Sequence, residues 1–153
     1  MSSPQVSLEV QFASPSLEKT WAPILPPKKI RSWAKVALKQ DAKIVVRLVG
    51  MAESKRLNFD YRQQNHATNI LTFILHEDHE SSTLVADLIF CMPVIAREAE
   101  KQGKTIQNHF AHLTIHGVLH AQGFDHEDEL EAQAMESLEI ALLKRLKIKD
   151  PYT

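Results

Sequence analysis

The run HGVLHAQGFDH, residues 116–126, constrains this chain more than any other segment. His116 and His120 stand four residues apart, so a helix carries both imidazoles on one face, within reach of a common point. Gly123 sits where such a helix ends in a left-handed cap, and the GFD segment then turns the chain so that His126 arrives from a new direction. Three imidazoles suit zinc, which neutral imidazole binds at about 2.0–2.1 Å, with three protein ligands leaving the fourth tetrahedral position to water. A histidine-rich surface or core face is the competing reading, because His112 lies on the same stripe. Along a straight helix, however, His112 and His120 are separated by roughly 12 Å, too far to share one ion. The third ligand therefore comes from off the helix, and His126 supplies it. His112 then reads as a residue supporting a ligand or facing substrate, and His109 as an ordinary exposed one.

The same run also excludes a function. In the common zinc-protease helix a glutamate follows the first histidine and serves as general base, whereas here that position is Gly117. Val118 and Leu119 read as core-facing residues that fix the rotation of the helix. Asp125 either orients an imidazole through its carboxylate or is a plain turn residue after Gly123.

At 153 residues and 44% hydrophobic content, residues 1–153 read as one domain with a real core. No apolar run approaches the ~20 residues of a membrane span, and MSSPQVSLEV has neither a signal-peptide nor a transit-peptide pattern. A cytoplasmic protein with no membrane partner is expected. The single cysteine, Cys91, in the apolar stretch LIFCM, fits a reducing compartment and reads as a small buried hydrophobe. The net charge of −1 conceals a division: residues 1–63 hold 11 Lys+Arg against 5 Asp+Glu, and residues 64–153 hold 7 against 14. Lys28, Lys29, Arg31, Lys35, Lys39, Lys55, Arg56 and Arg62 are enough for a phosphate-attracting face if folding gathers several of them; otherwise they solvate a surface. Seven carboxylates without a Lys or Arg run from Asp125 to Glu139, so a polyanion must approach the histidines from the other side.

Val6, Leu8, Val10 and Phe12 alternate with polar residues and predict a strand before Pro15, followed by a proline-broken connection, WAPILPPKK. Helical spacing of Ile30, Trp33, Ala34, Ala37 and Leu38 predicts a helix over 29–40, KIVVRLVG a strand, and the segment from Met51 to the Leu57–Tyr61 region a second helix that gives way to a polar loop, Gln63 to Thr68. Asn69 to Leu75 and Leu84 to Cys91 read as strands joined by the polar HEDHESS. Pro93 and Gly103 bracket another helix, Thr105 caps the histidine helix over 106–122, and a last helix spans about 128–147 with an apolar stripe of Leu130, Ala134, Leu138, Leu142 and Leu146. The sum is an α+β class, about four strands in a mixed sheet covered by about five helices, with the metal site on a long helix.

With these residues in view, the chain resembles the bacterial ribosomal RNA maturation endoribonucleases of the YbeY family. The resemblance covers most of the chain from Leu57 onward. It rests on HGVLHAQGFDH with NHFAHLTI upstream and EDELEAQAMESLE downstream, on YRQQNHATNILTF, similar to the family's arginine-bearing loop and following strand, and on ADLIF, similar to its Gly-Asp strand. Gln63, Gln64 and His66 stand where the family usually has glycine and lysines, Ala67 replaces a proline, and Ala86 replaces the glycine before Asp87. Asp87 reads either as a support for the active-site helix or loop, or as a plain strand-end aspartate.

The resemblance implies a single-strand-specific, zinc-dependent endoribonuclease acting in small-subunit ribosomal RNA 3′ end maturation and in ribosome assembly or quality control. It implies metal ligands His116, His120 and His126 and a functional Arg62, whose planar guanidinium would grip the scissile phosphate through two hydrogen bonds. Ribosomal RNA precursor, the small ribosomal subunit and a ribosome-assembly GTPase are the implied partners. The attacking group is either an activated water or the 2′-hydroxyl, and another divalent transition metal suits the same imidazoles. Two other functions remain open at this stage: a ribosome-binding assembly factor whose metal is structural, and, ranked last, a metallopeptidase. Structural zinc sites are normally closed by four protein ligands, and three are evident here.

Overall fold

Runs of alternating apolar residues build one sheet in the computed structural model, which describes residues 3–78, 82–124 and 127–153, the side chains of 76–78 excepted. Strands β1 (Val6–Phe12), β2 (Ala42–Val49), β3 (Ile70–Asp78) and β4 (Thr83–Cys91) lie in the order β1-β2-β4-β3. The first three positions in that order run parallel, and β3 closes the edge antiparallel to β4. Around the sheet lie α1 (Pro15–Trp21), α2 (Pro27–Ala37), α3 (Met51–Arg62), α4 (Met92–Gln102), α5 (Ile106–Ala121) and α6 (Glu129–Arg145). This is the expected α+β fold with one helix more than expected. The Ser14 hydroxyl accepts from the Leu17 amide at 3.2 Å and Pro15, read as a break, opens the first turn of α1 ahead of the WAPILPPKK connection. The β3 strand also runs on to Asp78, into the polar stretch read as a connection, with a register shift between Ile74 and His76.

Strand periodicity divides the core between the two faces of the sheet. Ala42, Ile44, Val46 and Leu48 of β2 and Leu84, Ala86, Leu88 and Phe90 of β4 join the larger cluster, with α2 and α5. Val49, Leu71, Ile89 and Cys91 fall in the smaller one, against Val94, Leu57 and Phe73. Cys91 is buried as anticipated. Asp87, in mid-strand, takes the register of Ile89 and Cys91, so it faces away from α5 and does not support that helix. Burial pushes its carboxyl pKa up.

Helix α5 is the centre of the larger layer. Phe110 stacks on Phe90 with ring centroids 4.2 Å apart and meets Trp33 at 6.1 Å. The Thr105 hydroxyl caps the helix by accepting from the Asn108 amide at 3.0 Å. At the other end Gly123 adopts φ 101, its amide reaching the His120 carbonyl and that of Phe124 the Leu119 carbonyl, the paired bonds of a Schellman stop. Gln122 ties this end to α2 by donating to the Ala37 carbonyl at 2.7 Å and accepting from the Lys39 amide at 2.9 Å. Gly117 has a packing reason of its own. A Cβ there would stand 2.7 Å from Ile70 Cδ1 and 3.4 Å from Leu88 Cδ2 and Thr72 Oγ1, so the bare backbone lets α5 lie close on β3 and β4, and any larger residue requires the end of the Ile70 side chain to shift.

Helix α6 corrects one expectation. Asp128 caps it, accepting from the Glu131 amide at 2.8 Å, but Leu130 is 79% exposed and Ala134 faces water. The buried face is Met135, Glu139, Leu142 and Leu143. No helix among the described residues is long and apolar enough to cross a membrane.

Candidate active site

Arg62 closes α3, where Gln63 turns left-handed at φ 56, and its exposed side chain lines one wall of a cleft of about 600 Å³. His116 and His120 of α5 line the same cleft, together with Ile70 to Phe73 of β3, Tyr61 and Glu127. Residues distant in sequence, Arg62 and the two histidines, thus share one cleft. His126 and Asp125 lie outside the described residues, and among the described residues no group of three His, Cys, Asp or Glu side chains is placed to hold a metal ion.

The loop beyond Arg62 is held from within α3. Ser54, buried, accepts from the Thr68 amide at 3.1 Å and donates to the Thr68 carbonyl at 3.2 Å, and the buried Asn58 donates to the His66 carbonyl at 2.8 Å. These bonds satisfy backbone groups of an otherwise irregular segment and fix the point at which Arg62 leaves the helix. Tyr61 is 65% exposed and meets the Phe73 ring edge-on at a centroid distance of 5.1 Å, which gives the cleft an aromatic wall.

Behind His116 stands a group that sequence reasoning missed. Glu139, fully buried on α6, accepts a 2.5 Å hydrogen bond from His116 Nδ1 on one oxygen. Its other oxygen accepts from the Tyr152 hydroxyl and from His112 Nε2, the latter at 3.2 Å. A carboxylate only accepts, so His116 carries a proton on Nδ1, the nitrogen turned toward Glu139. Burial pushes the Glu139 carboxyl up, but the bonds from His112, His116 and Tyr152 outweigh it and hold the group at about 2. Burial and the contact with Glu139 push the Tyr152 hydroxyl up, so it remains a donor. His112 is therefore a support for a cleft histidine through Glu139, one of its two anticipated roles. The available signal for Glu139 was its register: it shares a helical face with Met135 and Leu142, where a carboxylate needs partners.

His109 is not exposed as expected but 4% accessible, with Nε2 2.9 Å from Glu98 Oε1 on α4. Burial pushes its pKa below the ordinary 6.5, against the opposing pull of Glu98. The unfolded chain thus takes up this proton first on acidification. The contribution of His109 to stability is full above the ordinary value of 6.5 and declines as pH falls below it. Urea midpoints of the wild type and His109→Gln, measured between about pH 8 and pH 5, are expected to converge toward acid as the wild type loses this term. A constant difference across the range would contradict the assignment.

A family model described as Endoribonuclease YbeY matches residues 19–147. Among curated relatives, an endoribonuclease YbeY of Polynucleobacter asymbioticus is 46% identical over 151 residues, covering 99% of this chain and 96% of its own. One from Aromatoleum aromaticum is 54% identical over 123 residues, covering 80% and 78%. The solution structure of TM1509 from Thermotoga maritima superposes with a TM-score of 0.53 at 21% identity, over 92% of this chain and 91% of that one, a likeness of fold.

Proposed function

The chain belongs to the endoribonuclease YbeY family, and from that premise we propose that it is a metal-dependent endoribonuclease cutting single-stranded RNA in the cleft of Arg62, His116 and His120. The observation that carries the reading is the convergence of a phosphate-binding side chain and two imidazoles on one cleft. The donor set suits a metal ion: Glu139 engages His116 through Nδ1, the outer-carboxylate arrangement common behind metal-ligating imidazoles, and His120 follows one turn later on the same helix. His116, His120 and His126 would hold the ion, zinc by the chemistry of three imidazoles, with nickel or copper suited to the same donors. When bound, such an ion supplies Lewis acidity and makes a water acidic enough to deprotonate near neutral pH.

The protein's own groups do the rest. Arg62 grips the scissile phosphate with two parallel N–H donors and offsets charge that builds on its nonbridging oxygens. Glu127, on the cleft wall, repels the phosphate toward Arg62. Tyr61, braced by Phe73, offers its face to an unpaired base, a contact worth about 1–3 kcal/mol and unavailable to a base inside a duplex. Gly117 leaves no side chain in the position of a peptidase base. The reading extends to ribosomal RNA precursor as substrate, to small-subunit 3′ end maturation in the cytoplasm, and to the small ribosomal subunit and an assembly GTPase as partners.

Metal-loaded protein offered the same ribosomal RNA sequence single-stranded and annealed to its complement is expected to cut the single strand at least about tenfold faster, in line with the loss of one stacking contact. Equal rates would sink the single-strand assignment. Cleavage of a peptide library with no cleavage of RNA would sink the nuclease.

A further inference from the structure

Three donors converge on one buried carboxylate beside the cleft, and the most distant of them comes from the segment that follows α6. Lys147 turns the chain left-handed at φ 63 just past the end of α6. Lys104 then donates to the Pro151 carbonyl at 2.8 Å, and the Tyr152 amide donates to Asp150 Oδ1 at 2.8 Å. These bonds deliver the Tyr152 hydroxyl to Glu139 Oε1, although the ring remains 47% exposed. The same ring meets His112 edge-on, 5.4 Å between centroids, and His112 Nε2 lies 3.2 Å from both the Tyr152 hydroxyl and Glu139 Oε1. The Nδ1 of His112 has no partner among the described residues, so its hydrogen bonding is confined to this shared contact.

We propose that Tyr152 is a positioning residue of the active site, locking the Glu139 carboxylate so that His116 keeps its proton on Nδ1 and presents Nε2 to a metal ion. The inference rests on the metal reading of the cleft given above. A buried carboxylate held by one oxygen alone can swing about its terminal torsion, and the imidazole bonded to it then loses its reference. With Oε1 engaged by Tyr152 and His112, Oε2 has a single orientation toward His116. Tyr152 lies beyond the 19–147 span of the family match, so this support is not part of the pattern by which the family is recognised. An aromatic ring left half in water, with its hydroxyl on a fully buried acid, makes sense as a placement device and little as core packing.

The test uses the full chain, stripped of metal, as wild type, Tyr152→Phe and Glu139→Gln. Zinc affinity is read by competition with a chromophoric chelator, the His116 tautomer by imidazole ¹⁵N shifts without metal, and folding by thermal midpoint. Tyr152→Phe is expected to weaken zinc binding on the order of tenfold, the lower end for a residue supporting a ligand, and Glu139→Gln by up to about a hundredfold. In Tyr152→Phe, His116 is expected to pass from one tautomer to a mixture. A lowered thermal midpoint with unchanged zinc affinity and unchanged tautomer would overturn the proposal by making Tyr152 merely structural. If the wild type binds no zinc, the metal reading fails, and the tautomer decides alone: a shift in Tyr152→Phe upholds the positioning and no shift overturns it.

Discussion

Replacing Arg62 by glutamate is expected to abolish RNA cleavage while leaving the protein folded. Removal of one donor to a charge that develops in a transition state typically lowers the rate by about 10²–10³-fold, which sets the expectation for Arg62→Ala. Glutamate adds a charge that repels the phosphate, so Arg62→Glu falls further. Lysine keeps the charge but not the paired donors, and Arg62→Lys is expected to lie between alanine and wild type. Arg62 is exposed in the last turn of α3, so Arg62→Ala and Arg62→Lys should leave the thermal midpoint near that of the wild type, and Arg62→Glu, a negative charge at the helix C-terminus, should lower stability by no more than about 1 kcal/mol. Single-turnover cleavage of ribosomal RNA precursor separates the effect on chemistry from that on binding. Cleavage by Arg62→Glu at the wild-type rate would remove the arginine from the mechanism.

Much of the fold was legible because its signals are local. The alternation of Val6, Leu8, Val10 and Phe12 marks β1 at its observed bounds, and Thr105, Gly103 and Gly123 stop or start helices through contacts within a few residues of themselves. The α6 stripe failed for a geometric reason. Stepping every fourth residue advances about 40° around the helix each time, so a line from Leu130 to Leu146 spirals off the buried face, and only its later members reach the core. The α1 helix escaped because its prolines read as breaks, whereas Pro15 stands at the first helical position, where its missing N–H is no loss.

The candidate site divides in the same way. The i, i+4 spacing of His116 and His120 follows from helix geometry alone. Arg62 entered through family resemblance, since nothing local distinguishes it from other basic residues of the first half of the chain; the cleft it shares with the histidines is made by α3, β3 and α5, elements far apart in sequence. The ties of Glu139 to His112 and His116 span 27 and 23 residues, so no pattern along the chain announces them. His109 was misjudged likewise, its partner Glu98 lying on another helix.

Metal removal carries the largest expected effect. In the proposed function His116 and His120 of the cleft hold a cation, and the residue after His116, where a peptidase carries its glutamate base, is Gly117. On that proposal, catalysis depends on the Lewis acidity that a bound ion would supply. Cleavage of single-stranded ribosomal RNA precursor should fall to the background rate in chelator-stripped protein and return as zinc is added, saturating at one equivalent per chain. Stripped protein that cuts as fast as the reloaded protein would contradict the account.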